Sequence, residues 1–183
     1  MLFLFKVIIM SKYKLVLLFV AISMFSSVSY ALDEGKFFKA QKIFFAARAG
    51  SDGAVEKASN AFAKLDRKDP VVMVYKGAIK ALEGRDSWMP WNKIGLVEDG
   101  LDIIDKALKK GGNSKKKVKD ARYDILIKVV AASVMADLPG IFKRHQEAID
   151  LHQELVELKE FASPDLKKHI KKIGKVLKKG VKK

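Results

Sequence analysis

Three histidines, His145, His152 and His169, are the side chains of this chain best suited to proton transfer or metal ligation. His145 and His152 are seven residues apart and fall on one side of a single predicted helix. At 1.5 Å of rise per residue they stand about 10.5 Å apart along its axis. That separation rules out a shared metal ion unless other elements intervene, and the chain has no cysteine to supply a thiolate. Histidines bordering an apolar stripe account for the pattern without any ligand.

The carboxylates offer a second arrangement. Glu98, Asp102 and Asp105 align on one helix face, as paired acid and base groups would. Lys106 and Lys109 follow the two aspartates by four residues, however, in the order that favours exposed ion pairs. A solvated face is therefore expected. No glycine cluster has the spacing of a nucleophile elbow, a P-loop or a dinucleotide fingerprint. "KKGGNSKKK" is basic and flexible and would meet a phosphate by charge alone. No catalytic, cofactor-binding or metal-ligating residue is predicted, and the chain reads as a non-enzyme.

What recognition chemistry there is lies elsewhere. "RDSWMPWNK" holds both tryptophans of the chain around Met89-Pro90. A turn stiffened by proline and loaded with large, soft side chains has two uses. As a structural plug it covers the open end of a helical layer, burying roughly 150–250 Å² per ring. As a gripping surface it presents Trp88, Met89 and Trp91 to a partner, residue types favoured at binding hot spots. A small helical domain needs its large apolar groups, which favours the plug.

The second feature is "SPDLKKHIKKIGKVLKKGVKK". Ser163, Pro164 and Asp165 form a helix-start signal. Leu166, Ile170, Ile173, Leu177 and Val181 follow at helical spacing, with Lys167, Lys168, Lys171, Lys172, Lys175, Lys178, Lys179, Lys182 and Lys183 filling the other side. This is the pattern of a basic amphipathic helix that lies on anionic membranes or enters acidic grooves. Each lysine near an anionic leaflet contributes about 1 kcal/mol. The other reading docks the stripe on the preceding helix as an end cap whose outer face is polar.

Stepping outward to the chain ends, Lys12 and Lys14 precede an apolar run over 15–25 that closes on Ser29 and Ala31. Residues 1–31 read as a signal peptide, with Met10 a more typical start than Met1 and an uncleaved anchor as the other reading. The expected setting is the periplasm or the cell exterior. The exported part, 32–183, has one domain's worth of residues. Of the formal net charge of +15, three lysines lie in 1–31, which leaves +12. Residues 163–183 carry nine lysines and one aspartate, a net +8, so the body over 32–162 holds only +4. Nucleic acid would suit the charge, but export argues against it and no recognition motif is present.

Proline, glycine and cap residues divide the body into helices over 33–49, 54–66, 70–84, 92–110, 118–136 and a sixth running to 161, with no strand. Ile94, Val97, Leu101, Ile104 and Leu108 mark the buried stripe of the fourth. The fifth is apolar nearly all round, as a central helix is. The prediction is an all-α fold of packed helical hairpins, six to seven helices in all.

Ala46, then Ala58 and Phe62, then "LDRKDP" ending at Pro70 resemble a tetratricopeptide repeat over 37–70, and "Y.GA...L.G" extends the likeness to 84. "DSWMPWNK" breaks the period. The stretch from Arg85 to Leu108 also resembles exported bacterial proteins described only as repeat-containing. The resemblance implies a right-handed helical stack that presents a concave surface to a protein or peptide partner.

Overall fold

The computed structural model describes residues 32–180; the expected signal peptide over 1–31 and Val181, Lys182 and Lys183 lie outside the described residues. Asp33 opens helix α1, Glu34–Arg48, by accepting the Lys36 N–H at 3.0 Å. Gly50 and Gly53, both at positive φ, turn the chain into α2, Ala54–Ala63. Asp69 caps α3, Pro70–Asp86, accepting from Val71 and Val72 with Pro70 in the first turn. The β-branched run at 71–74 is therefore helix. Gly84 does not close α3 but lies buried inside it.

Helix α4, Pro90–Gly111, starts two residues earlier than Asn92 because Pro90, rather than a capping side chain, sets its first turn. The fifth helix begins later than its apolar content suggests. Lys117–Val118 (β1) and Ala121–Arg122 (β2) pair antiparallel around Lys119 at φ 49°, a minimal hairpin that hydropathy alone does not reveal. Helix α5, Tyr123–Asp137, follows. Leu138-Pro139 breaks it, a 3-10 turn runs Gly140–Phe142, and α6 spans His145–Glu157. A second 3-10 turn, Lys159–Phe161, ends the sixth helical stretch short of a continuous helix. Helix α7, Pro164–Gly180, completes an all-α fold of seven helices among the described residues.

Consecutive helices pack side by side, and α5 also meets α3 and α7. Every residue from 123 to 135 is buried, so α5 is the central helix its composition predicts. Its polar groups are paired: Lys128 Nζ lies 2.5 Å from Glu154 of α6, and Asp124 meets Arg122 at 2.5 Å. The Tyr123 hydroxyl donates to Asp69 at 2.9 Å, which ties the start of α5 to the cap of α3. A second centre gathers Phe37, Phe44, Phe62 and Tyr75, with ring centroids 5.0–6.2 Å apart. Burial pushes the Tyr75 hydroxyl pKa upward, and it accepts a hydrogen bond from Gln41 at 2.6 Å.

The closest approach is between α3 and α4. A Cβ placed on Gly77 would stand 2.6 Å from the Gly100 carbonyl oxygen, and one on Gly100 equally near that of Gly77. Only glycine at both positions lets the two backbones touch. No described helix is long and apolar enough to cross a membrane.

Candidate functional site

Proline dictates the local geometry of the tryptophan turn. The residue before a proline is driven to extended backbone, and Met89 has φ −86° and ψ 117°. Ser87 is extended as well, so three residues carry the chain from α3 to α4 with Trp88 in the middle. Trp91 falls in the first turn of α4. Trp88 is 82% exposed and Trp91 71% exposed, so the turn does not plug the helical layer. The physical reason is register: Val97, Leu101 and Ile104, at helical spacing, are residues that α4 buries against the body, and Trp91 lies about a third of a turn round the helix from them. The rings on either side of Pro90 point elsewhere. Met89 between them is half-buried.

Beside this turn lies an apolar cavity of about 430 Å³. Phe44 of α1 forms its floor with Ala78, Ala81 and Val134, and Leu138, Ile141 and Phe142 close the far side. Two features create it. Ala78 and Ala81 occupy the cavity-facing side of α3 with almost no side-chain volume. The break at Leu138-Pro139 then swings the chain away from α5 before α6 begins. Ile94 is 46% and Ile141 69% exposed, so the apolar lining reaches the surface. The predicted buried stripe of α4 thus holds for Val97, Leu101 and Ile104 and fails at Ile94.

The cavity rim is polar and mainly basic: Arg48, Arg85 and Lys93 against Asp137. Arg48 bonds Asp137 at 2.8 Å and the Ser133 carbonyl at 3.3 Å. Arg85 bonds Asp86 at 2.6 Å and the Ala47 carbonyl at the end of α1 at 3.2 Å. The hydrogen bond to Asp86 raises the Arg85 pKa still further. Lys93 has no carboxylate within 4.0 Å among the described residues.

Helix α7 is arranged the other way round. Leu166, Ile170, Ile173 and Leu177 are 2–6% exposed, packed on α5 and α6. The stripe that would enter a membrane is core. A Cβ on Gly174 would meet the His152 ring at 2.8 Å, and His152 Nε2 is 3.2 Å from the Ile170 carbonyl oxygen, which fixes how α6 and α7 seat. Lys168 pairs with Asp165 at 3.1 Å and Lys167 reaches Glu160 at 4.0 Å. Lys171, Lys172, Lys175, Lys178 and Lys179 are exposed, with no carboxylate partner among the described residues.

The remaining sequence candidates are not brought together. His145 and His152 lie along α6, and His169 stacks on Phe45 of α1 at 4.6 Å. No group of three His, Cys, Asp or Glu among the described residues is placed to hold a metal ion. The expected ion pairs of Asp102 and Asp105 with lysines four residues on do not form. Asp105 instead meets Arg144 at 2.5 Å, a residue to which the sequence drew no attention because the partners are far apart in the chain. The cavity itself went unseen for the same reason. No protein-family model, curated protein or solved structure matches the chain.

Proposed function

We propose that this chain is a non-catalytic, exported binding protein whose helical, repeat-like body presents Trp88, Met89 and Trp91 to a protein or peptide partner. One observation carries the reading: two tryptophans stand 82% and 71% exposed on a proline-stiffened connection. Exposed aromatic area held in a single conformation gives binding energy at low entropic cost.

The test is a peptide-display selection on the full chain, followed by titration of the selected peptides. Because the chain has only these two tryptophans, their emission reports on the turn directly. Binding should shift it to the blue, and W88A/W91A should abolish capture while leaving the fold intact. Peptides that bind the double variant equally well would refute this reading.

The five lysines of α7 that have no carboxylate partner among the described residues favour a second reading, docking on an anionic membrane surface. With the apolar stripe buried, such binding would be electrostatic and lost at high salt. Deleting 163–183 would strip side chains from the core, so charge reversal is the cleaner probe. K171E/K175E should abolish sedimentation with phosphatidylglycerol vesicles at low salt, and unchanged sedimentation would sink the idea.

A further inference from the structure

We infer that the cavity beside the tryptophan turn is a binding site for a single hydrocarbon chain that ends in an anionic head group. The site shares a face with the proposed partner surface but not its contact residues, since neither Trp88 nor Trp91 lines the cavity.

Four observations converge. A volume of about 430 Å³ lies in the range of small-molecule sites. Its interior, built from Phe44, Ala78, Ala81, Leu82, Val97 and Val134, offers no catalytic group and no free hydrogen-bonding side chain. Apart from Val134 in the last turn of α5, those residues lie inside helices whose backbone N–H and C=O groups already bond within each helix. A peptide main chain lodged there would leave its own amides unpaired, a cost that hydrocarbon does not carry. Finally, charge gathers only at the rim, where Arg48 is paired with Asp137 and Arg85 with Asp86, which leaves Lys93 as the cation without a carboxylate partner among the described residues.

Among the described residues, Lys93 is the rim cation with no carboxylate within 4.0 Å, free to meet an incoming anion. It sits in the first turn of α4, where the positive end of the helix dipole adds to its field. Arg48 and Arg85, fixed by Asp137, Asp86 and the last carbonyls of α1, form a hydrogen-bonding, charge-balanced border behind it. An acyl chain in the apolar interior would place its head between Lys93 and this border. A cationic head would meet Lys93 as repulsion.

Calorimetric titration of the full chain with decanoate and with decyltrimethylammonium, both as monomers, tests the assignment. Decanoate should bind one per chain, about fivefold tighter than the cation, the scale expected of one exposed charge. K93E should reverse that preference. I94D/I141D puts two carboxylates at the apolar mouth and should weaken decanoate about tenfold, through lost apolar contact and added repulsion of its head. All three substituted side chains are exposed, and equal urea midpoints will show that the variants fold.

Monomeric decanoyl lysophosphatidylglycerol separates the two sources of such a chain. Binding tighter than decanoate assigns the site to a lipid-borne acyl group, and weaker binding assigns it to the free acid. No saturable decanoate binding up to about 1 mM, the weak end of specific recognition, would overturn the inference. So would equal affinity for the two ions with K93E silent, or binding unaltered in I94D/I141D. W88A/W91A should keep decanoate binding, so this site and the peptide surface succeed or fail separately.

Discussion

The turn at 87–91 and helix α7 exchange the roles their compositions suggest. The turn holds the two largest side chains of the chain and leaves both in solvent. The helix is more lysine-rich than any other and puts four aliphatic side chains 2–6% exposed into the core. What separates them is the availability of a matching neighbour. Leu166, Ile170, Ile173 and Leu177 repeat at four, three and four residues, so they form one ridge, and α5 is apolar enough all round to receive it. Trp88 precedes α4, and Trp91 stands about a third of a turn from the Val97, Leu101 and Ile104 stripe that α4 buries. Size and hydropathy do not decide burial when no groove is offered.

The comparison breaks most sharply at Ile170. I170A should lower stability by about 3 kcal/mol in urea unfolding, the usual cost of emptying a buried aliphatic site. A change within about 0.5 kcal/mol, as exposed sites show, would make the α7 stripe as free as the turn. G77A sharpens the other side, because it forces a methyl against the Gly100 carbonyl in the hairpin that carries the turn. The expected loss is about 2 kcal/mol, the middle of the range for overpacking. Unchanged unfolding would mean that α3 and α4 do not touch through backbone.

W88A/W91A should cost no more than about 0.5 kcal/mol, since truncating an exposed ring removes little packing. Before any partner is added, the parent protein should emit at long wavelength and be readily quenched by acrylamide. Blue, protected emission would restore the plug.

The smallest effect concerns His169. Burial lowers its pKa, Arg48 and Lys172 lower it further, and Asp165 opposes them; Asp137 also borders the ring. The folded state therefore binds this proton less readily than the unfolded chain. The stabilisation is complete above the ordinary histidine value of 6.5 and declines as pH falls through it. H169Q should flatten that decline, and an unchanged pH profile would remove His169 as its source.

Much of the helical order was legible because its signals are local. Asp33, Asp69-Pro70 and Ser163-Pro164 mark starts within a few residues of where helices begin. The hairpin at Lys117–Arg122 escaped notice because two-residue strands leave no periodicity. The plug reading failed because burial of a tryptophan depends on distant volumes. The cavity depends on Ala78 and Ala81 being small where Phe44, Val134 and Ile141 converge from three other segments. The Asp105–Arg144 pair likewise spans segments no local pattern connects.

The Gly77–Gly100 contact gives the cavity one stiff side. Two helices joined backbone to backbone have no side-chain layer to act as a cushion, so they deflect as one beam. The opposite side hangs on Leu138–Pro139 and the single turn Gly140–Phe142, with open space around Gly140 and Lys143 at φ 53°. Any dilation of the cavity is therefore one-sided.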